Sequence, residues 1–136
     1  MTRRERKPDI PRLAETEWEV MKPFWDQGPL AARDVYAAIP ESRGWAYKTV
    51  KTMLSRLVKK GALTYDQVGN SYLYRPVYTR EEMTREEAQS FVQRVFDGAL
   101  NPFLAYFVES ASPEELKRIR KELDEMARKK AGENEP

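Results

Sequence analysis

Apolar residues recur along the first half of the chain at intervals of three and four, the period of a helix buried on one side. Thr16 to Trp25 carries Trp18, Met21 and Trp25 on one face, with Thr16 and Glu19 spaced as a capping box and Gly28-Pro29 as a stop. A second helix is predicted from about Ala32 to Ile39, with Val35, Ala38 and Ile39 inward and Pro40 and Gly44 ending it. The third, Ala46 to Lys60, has the sharpest division: Val50, Met53, Leu54, Leu57 and Val58 on one side, Lys48, Lys51, Thr52, Ser55 and Lys59 on the other. Gly61 follows where a left-handed cap is needed.

The period then changes to two. Leu63 to Val68 and Ser71 to Val77 are rich in β-branched and aromatic residues and are separated only by Gly69-Asn70, which predicts a hairpin. Pro76 cannot donate to a ladder, so the second strand should end there or lie at an edge. Beyond it the helical period returns in three segments: Thr79 to about Asp97, opened by Thr79 and Glu82; Asn101 to about Glu109, with Asn101 as cap and Pro102 at the first position; and Ser112 to about Lys130, opened by Ser112, Pro113 and Glu115. The expected fold is mainly α with a small β-hairpin: a winged helix-turn-helix domain followed by a helical dimerisation segment. The expected boundaries are a flexible basic arm over 1–12, the winged domain over 13–79, a three-helix dimerisation domain over 80–130 and a frayed tail over 131–136.

Charge sharpens this division. The whole chain of 136 residues carries only +2, but Met1 to Arg80 holds 15 Lys and Arg against 9 Asp and Glu, and the remainder holds 9 against 13. A basic front suits an anionic partner. There is no Cys and no His, which removes disulfides, thiol and imidazole catalysis and the usual zinc sites, and no Asp/Glu cluster has calcium-loop spacing. No enzyme, metal or cofactor is expected. No apolar run reaches membrane-spanning length, so no membrane insertion is expected and the chain is read as cytoplasmic. Arg3, Arg4, Arg6 and Lys7 form a basic arm that can reach phosphates but reads first as a solvated terminus.

Reading double-stranded DNA requires a helix that enters the major groove with short hydrogen-bonding side chains near bases and cations near phosphates. Lys48, Thr49, Lys51, Thr52, Ser55 and Arg56 supply these on the third helix, and Asn70, Ser71, Tyr72 and Arg75 near the hairpin tip suit a wing that grips phosphates. A Lys/Thr/Ser face is also the ordinary solvated side of an amphipathic helix; the adjoining hairpin favours readout. A winged module that binds an acidic protein instead of DNA is the alternative. Trp18 and Trp25 fall with Met21 and read as core, not as platforms for single-stranded bases; Trp45 reads as packing the turn.

The run Glu17-Trp-Glu-Val-Met21, then Trp25, then Trp45-x-x-Lys48-Thr-Val-x-Thr52-x-x-x-Arg56-Leu-x-Lys-Lys-Gly61, continued by Tyr72-x-Tyr74 and Phe107-Val-Glu109, resembles the penicillinase repressor (BlaI/MecI) family over about Leu13 to Lys130. That resemblance implies a homodimeric repressor on an inverted-repeat operator, controlling antibiotic-resistance or metal-handling genes. It also implies induction through a membrane sensor and a linked protease that cuts an Asn-Phe bond in the C-terminal segment. Aligned on Phe107-Val-Glu109, the residue before the Phe is Tyr106, so the resemblance stops short of the cleavage site; Asn101-Pro102 lies out of register and reads as a helix cap. The cysteine-rich tail of copper-responsive relatives has no counterpart in a chain without Cys. A dimer interface is expected from stripes at helix-helix spacing: Phe91 and Val95, then Phe103, Phe107 and Val108, then Leu116, Ile119, Leu123 and Met126; the alternative is that these helices fold back on the winged domain as a monomeric cap.

Overall fold

The computed structural model describes residues 10–133. In chain order these form α1 (Glu15–Gln27), β1 (Leu30–Ala31), α2 (Ala32–Ala38), a single 3-10 turn (Glu41–Arg43), α3 (Tyr47–Lys60), β2 (Leu63–Val68), β3 (Ser71–Pro76), α4 (Arg80–Phe96), α5 (Leu100–Ser110) and α6 (Pro113–Glu133). The basic arm lies outside the described residues up to position 9. The chain divides into two compact units, 1–88 and 89–136. The division falls inside α4 rather than at Thr79, because Met83 is buried in the core of the first unit.

That core joins Val20, Met21 and Phe24 of α1, Val35 of α2, Val50, Met53, Leu54 and Leu57 of α3, and Leu63 and Tyr74 of the sheet. Trp18, Trp25 and Trp45 pack against it part-buried, as their spacing suggests; Trp18 and Trp25 lie 5.6 Å apart, and the Trp25 indole donates to the Tyr78 carbonyl at 3.1 Å. Ala38, expected inward, is exposed: α2 is only seven residues long and buries just Val35, with Ile39 closing the core from beyond its end.

Several helix ends differ from the sequence reading. In α1 the cap is Ala14, not Thr16, and Glu17 accepts the Ala14 N–H at 2.8 Å while Glu19 pairs with Arg43. In α5 the cap is Ala99, which places Asn101 and Pro102 inside the first turn, where a missing N–H costs little. The boxes of α4 and α6 form as expected: Glu82 N–H donates to Thr79 Oγ1 at 3.0 Å and Thr79 N–H to Glu82 at 2.9 Å, with Ser112 and Glu115 repeating the exchange. Helix α6 continues through Glu133, and the rest of the tail expected over 131–136 lies outside the described residues.

The hairpin has the expected two-residue loop, with Gly69 at φ 63° and Val68 opposite Ser71. An unforeseen short strand, β1, adds Leu30 and Ala31 opposite Tyr74 and Leu73 and makes the sheet β1-β3-β2. The Pro76 strand is therefore central, contrary to an edge placement, although it does end at Pro76. The Val77 N–H bonds the Ala62 carbonyl at 3.0 Å, so the next pair, Leu63 and Pro76, is a non-bonded one. The missing donor of Pro76 thus faces the β1 side, where β1 reaches only Leu73 and Tyr74.

Glu17 is the buried charge of this core, 2 % exposed. Its carboxylate accepts from Lys60 Nζ at 2.6 Å, and the same ammonium reaches the Arg12 carbonyl at 3.2 Å, so one ion pair ties the start of α1 to the end of α3. Burial alone pushes the Glu17 carboxyl up, but the Lys60 and Ala14 hydrogen bonds with the charges of Lys60 and Arg56 outweigh it and hold it below the ordinary glutamate value of 4.5. A depressed carboxylate contributes stability that is present above its unfolded value and lost as pH falls through its folded one. Glu17→Gln is therefore expected to lower stability at pH 7 by about 1–3 kcal/mol, with the gap to wild type closing on acidification below about pH 4.5. Urea unfolding at neutral and acid pH measures both; an equal gap at the two pH values would refute the charged role.

Candidate nucleic-acid interface

The apolar stripe of α3 faces α1 and α2, and this leaves the opposite side of the helix in solvent. Lys48, Thr49, Lys51, Thr52, Ser55 and Arg56 are all exposed, whereas Val50, Met53, Leu54 and Leu57 are buried and Val58 is half-buried. Gly61, at φ 92° and donating to the Leu57 and Val58 carbonyls, ends the helix before the sheet begins. The exposed face is continuous: Tyr47, Lys48, Lys51, Thr52 and Ser55 line one shallow groove along it, and Lys48, Thr49, Thr52 and Arg56 line a second with Trp45 and Met53 on the α1 side.

A third groove, of about 400 Å³, runs between α3 and the hairpin. Lys51 and Ser55 line one wall and Asn70, Ser71 and Tyr72 the other, so the structure brings two separately chosen groups of residues to one concave surface. Tyr65, Tyr72 and Tyr74 stack on the sheet face that carries Tyr72 into this groove, with Tyr65 and Tyr72 centroids 4.4 Å apart. Burial, then the neighbouring phenols, raise the Tyr74 hydroxyl above its ordinary value, so it adds no negative charge there.

Arg75 does not join this surface. It lies opposite Thr64, well back from the tip, and strand alternation puts it on the sheet face away from Tyr72 and Tyr74. Its guanidinium pairs with Asp66. The sequence reading missed this because a basic residue near a tip looks like a phosphate contact until the register assigns its face.

Arg33 and Tyr47 join the groove between α3 and the hairpin without any local signal in the sequence. The Arg33 guanidinium lies 4.4 Å from the centre of the Tyr47 ring. Among the described residues no group of three or more acidic side chains can hold a metal, and no helix is long and apolar enough to cross a membrane.

The model of the penicillinase repressor family matches residues 13–125. The chain belongs to the penicillinase repressor family. It is 32 % identical to the penicillinase repressor of Bacillus licheniformis over 123 residues, 89 % of this chain and 96 % of that protein. Against the methicillin resistance regulatory protein MecI of Staphylococcus aureus the identity is 26 % over 79 % of this chain and 89 % of that one. The solution structure of the DNA-binding domain of the repressor BlaI is 34 % identical and covers 54 % of this chain and 89 % of its own, with a TM-score of 0.49. The family match extends through α5 into α6, beyond the winged unit, as the motifs around Phe107 suggest.

The division of α3 into two faces has a direct consequence for stability. Alanine at Lys48, Thr52 or Ser55 is expected to change the unfolding free energy by no more than about 0.5 kcal/mol, whereas Leu54→Ala should cost about 2–5 kcal/mol. Urea titration of the four variants reads this; a comparable loss at Thr52 or Ser55 would mean that this face is structural.

Proposed function

We infer that this protein is a sequence-specific DNA-binding transcriptional repressor that occupies its operator as a homodimer through α3 and the hairpin. The observation that carries the reading is the shared groove in which Lys51 and Ser55 of α3 face Asn70, Ser71 and Tyr72 of the wing, within a member of the penicillinase repressor family. In a winged helix-turn-helix the reader helix enters the major groove and the wing follows the backbone. Thr49, Thr52 and Ser55 are short enough to let the helix approach base edges, while Lys48, Lys51 and Arg56 reach guanine acceptors or phosphates. Such a protein acts by occupying DNA and not by catalysis, and its place is the cytoplasm, where bacterial operators are. Genes of antibiotic resistance are the natural targets given the relatives.

Dimerisation is assigned to the second unit. No residue from Gln89 to Gly132 is buried, and Val95, Val108, Leu123 and Met126 are 53 %, 49 %, 56 % and 61 % exposed. Phe107 is exposed, while Phe91, Phe103, Leu116 and Ile119 are half-buried, Phe91 and Phe103 edge to face at 6.1 Å. So much apolar surface on three short helices calls for a cover, and a second copy supplies it symmetrically. The Tyr106-Phe107 bond lies inside α5, whose backbone bonds would have to open before a protease could act on it. With Tyr in place of Asn, induction by cleavage there is not part of this reading.

Genome-wide footprinting of the protein in its host names the operator. On that duplex, affinity is expected to fall steeply with salt, by about 10³-fold or more between 50 and 200 mM for six or more phosphate contacts. A flat salt response, or equal affinity for unrelated duplexes, would count against operator recognition and for the protein-binding alternative. The dimer assignment is tested with Leu123→Glu/Met126→Glu, two exposed positions whose change leaves the fold of one copy intact. Sedimentation should shift from dimer to monomer and operator affinity should drop at least tenfold, about 1.4 kcal/mol; an unchanged dimer would overturn the assignment.

A further inference from the structure

We propose that Arg33 and Lys51, both drawn to the Tyr47 ring, form a seat for a DNA backbone phosphate on the wing-side flank of α3, with Tyr47 as the positioning residue. The proposal rests on the DNA-binding reading above and adds to it a contact from α2. Tyr47 is the first residue of α3, and Lys51, one turn on, lies with its ammonium 5.6 Å from the ring centre. Arg33 enters from the second position of α2 with its guanidinium at 4.4 Å, and Tyr36 meets the same ring edge-on at 5.6 Å. Two cations on different helices are thereby drawn toward one aromatic surface, which attracts each of them through its quadrupole.

The pair also lacks an internal anion. Among the described residues the ion pairs engage Arg43, Lys60, Arg75 and Arg80, and they leave Arg33 and Lys51 without a carboxylate. The nearest candidate in sequence, Asp34, is occupied with the Ala31 N–H at 3.4 Å. Two convergent, exposed and uncompensated cations mark a place where an external anion completes the structure. The groove they line with Ser55, Asn70 and Ser71 offers that anion further neutral donors. Tyr47 and Lys51 line both this groove and the shallow one along α3, so an anion here lies beside the reading face and not remote from it. A phosphodiester of the strand bordering the major groove fits this place: it carries one charge, accepts from planar and point donors alike, and is present at every sequence.

The test uses the full-length chain and two duplexes, one recovered from random sequence by selection with the wild-type protein and one unrelated. Arg33→Ala should weaken both duplexes by the same factor, about fivefold near 0.15 M salt, and reduce the salt slope by about 1. Tyr47→Ala, which releases both cations, should lose at least as much, Tyr47→Phe should retain wild-type affinity because the ring and not the hydroxyl holds the cations, and the Arg33→Ala/Tyr47→Ala double variant should lose little more than Tyr47→Ala alone. If wild type binds the selected duplex and Arg33→Ala binds it equally with an unchanged slope, the phosphate seat is overturned while operator recognition stands. A loss confined to the selected duplex would also overturn it, since it would make Arg33 a base contact. If Tyr47→Phe falls as far as Tyr47→Ala, the positioning role of the ring is overturned. If the wild type shows no salt-dependent affinity for either duplex, the DNA-binding reading fails and the seat with it.

Discussion

Burial of Val50, Met53, Leu54 and Leu57 against α1 and α2 fixes which side of α3 meets solvent, and the functional surface depends on that orientation. A rotation of the helix by a third of a turn that brought Arg56 toward the core would lift Leu54 into water, at a cost of several kcal/mol in lost burial and stranded charge. The Glu17–Lys60 pair pins the same helix at its last turn by a polar link that cannot slide along an apolar stripe. Nearby, Arg56 contributes charge to Glu17 while standing on the exposed face. A charge change at Arg56 therefore also reaches the buried carboxylate that pins this end of α3.

The wing depends on the same orientation. Tyr74 joins the core that buries the α3 stripe, and Tyr72 and Tyr65 continue its ring cluster outward along the same face of the hairpin. That packing places Asn70 and Ser71 beside Lys51 and Ser55. The second unit answers to a different constraint. Its rings, with Phe96 5.7 Å from Phe103 and 6.2 Å from Tyr106, cluster without any of them becoming buried, and its apolar stripes remain in solvent.

Much of this was legible in the sequence because each element carried a period and a punctuation mark. The 3.6-residue stripe of α3, the Gly61 cap, the Gly69-Asn70 turn and the Thr79 and Ser112 boxes are local signals, and local geometry delivered them. What escaped was set by tertiary pairing. Two residues, Leu30 and Ala31, become a strand only because β3 offers them an edge, and that pairing moves Pro76 to a central strand. Thr16 and Glu19 have capping-box spacing, yet Lys60, forty-three positions past Glu17, recruits Glu17 instead. Met83 looks like the start of a separate helical domain and is core to the first. The charge of Arg75 suggests a phosphate contact, but register gives it to Asp66; nothing local announces that Arg33 of α2 lies against Tyr47.

The proposed interface joins one exposed face of α3 and the tip of the hairpin on the same duplex. Amide and side-chain NMR shifts of the full-length protein, followed during titration with a duplex selected from random sequence, test it residue by residue. The account requires the largest changes at Lys48 to Arg56 and at Gly69 to Tyr72, with the buried stripe of α3 and the face carrying Arg75 little affected. Changes confined to α4, α5 and α6, or to α3 without the hairpin tip, would contradict it.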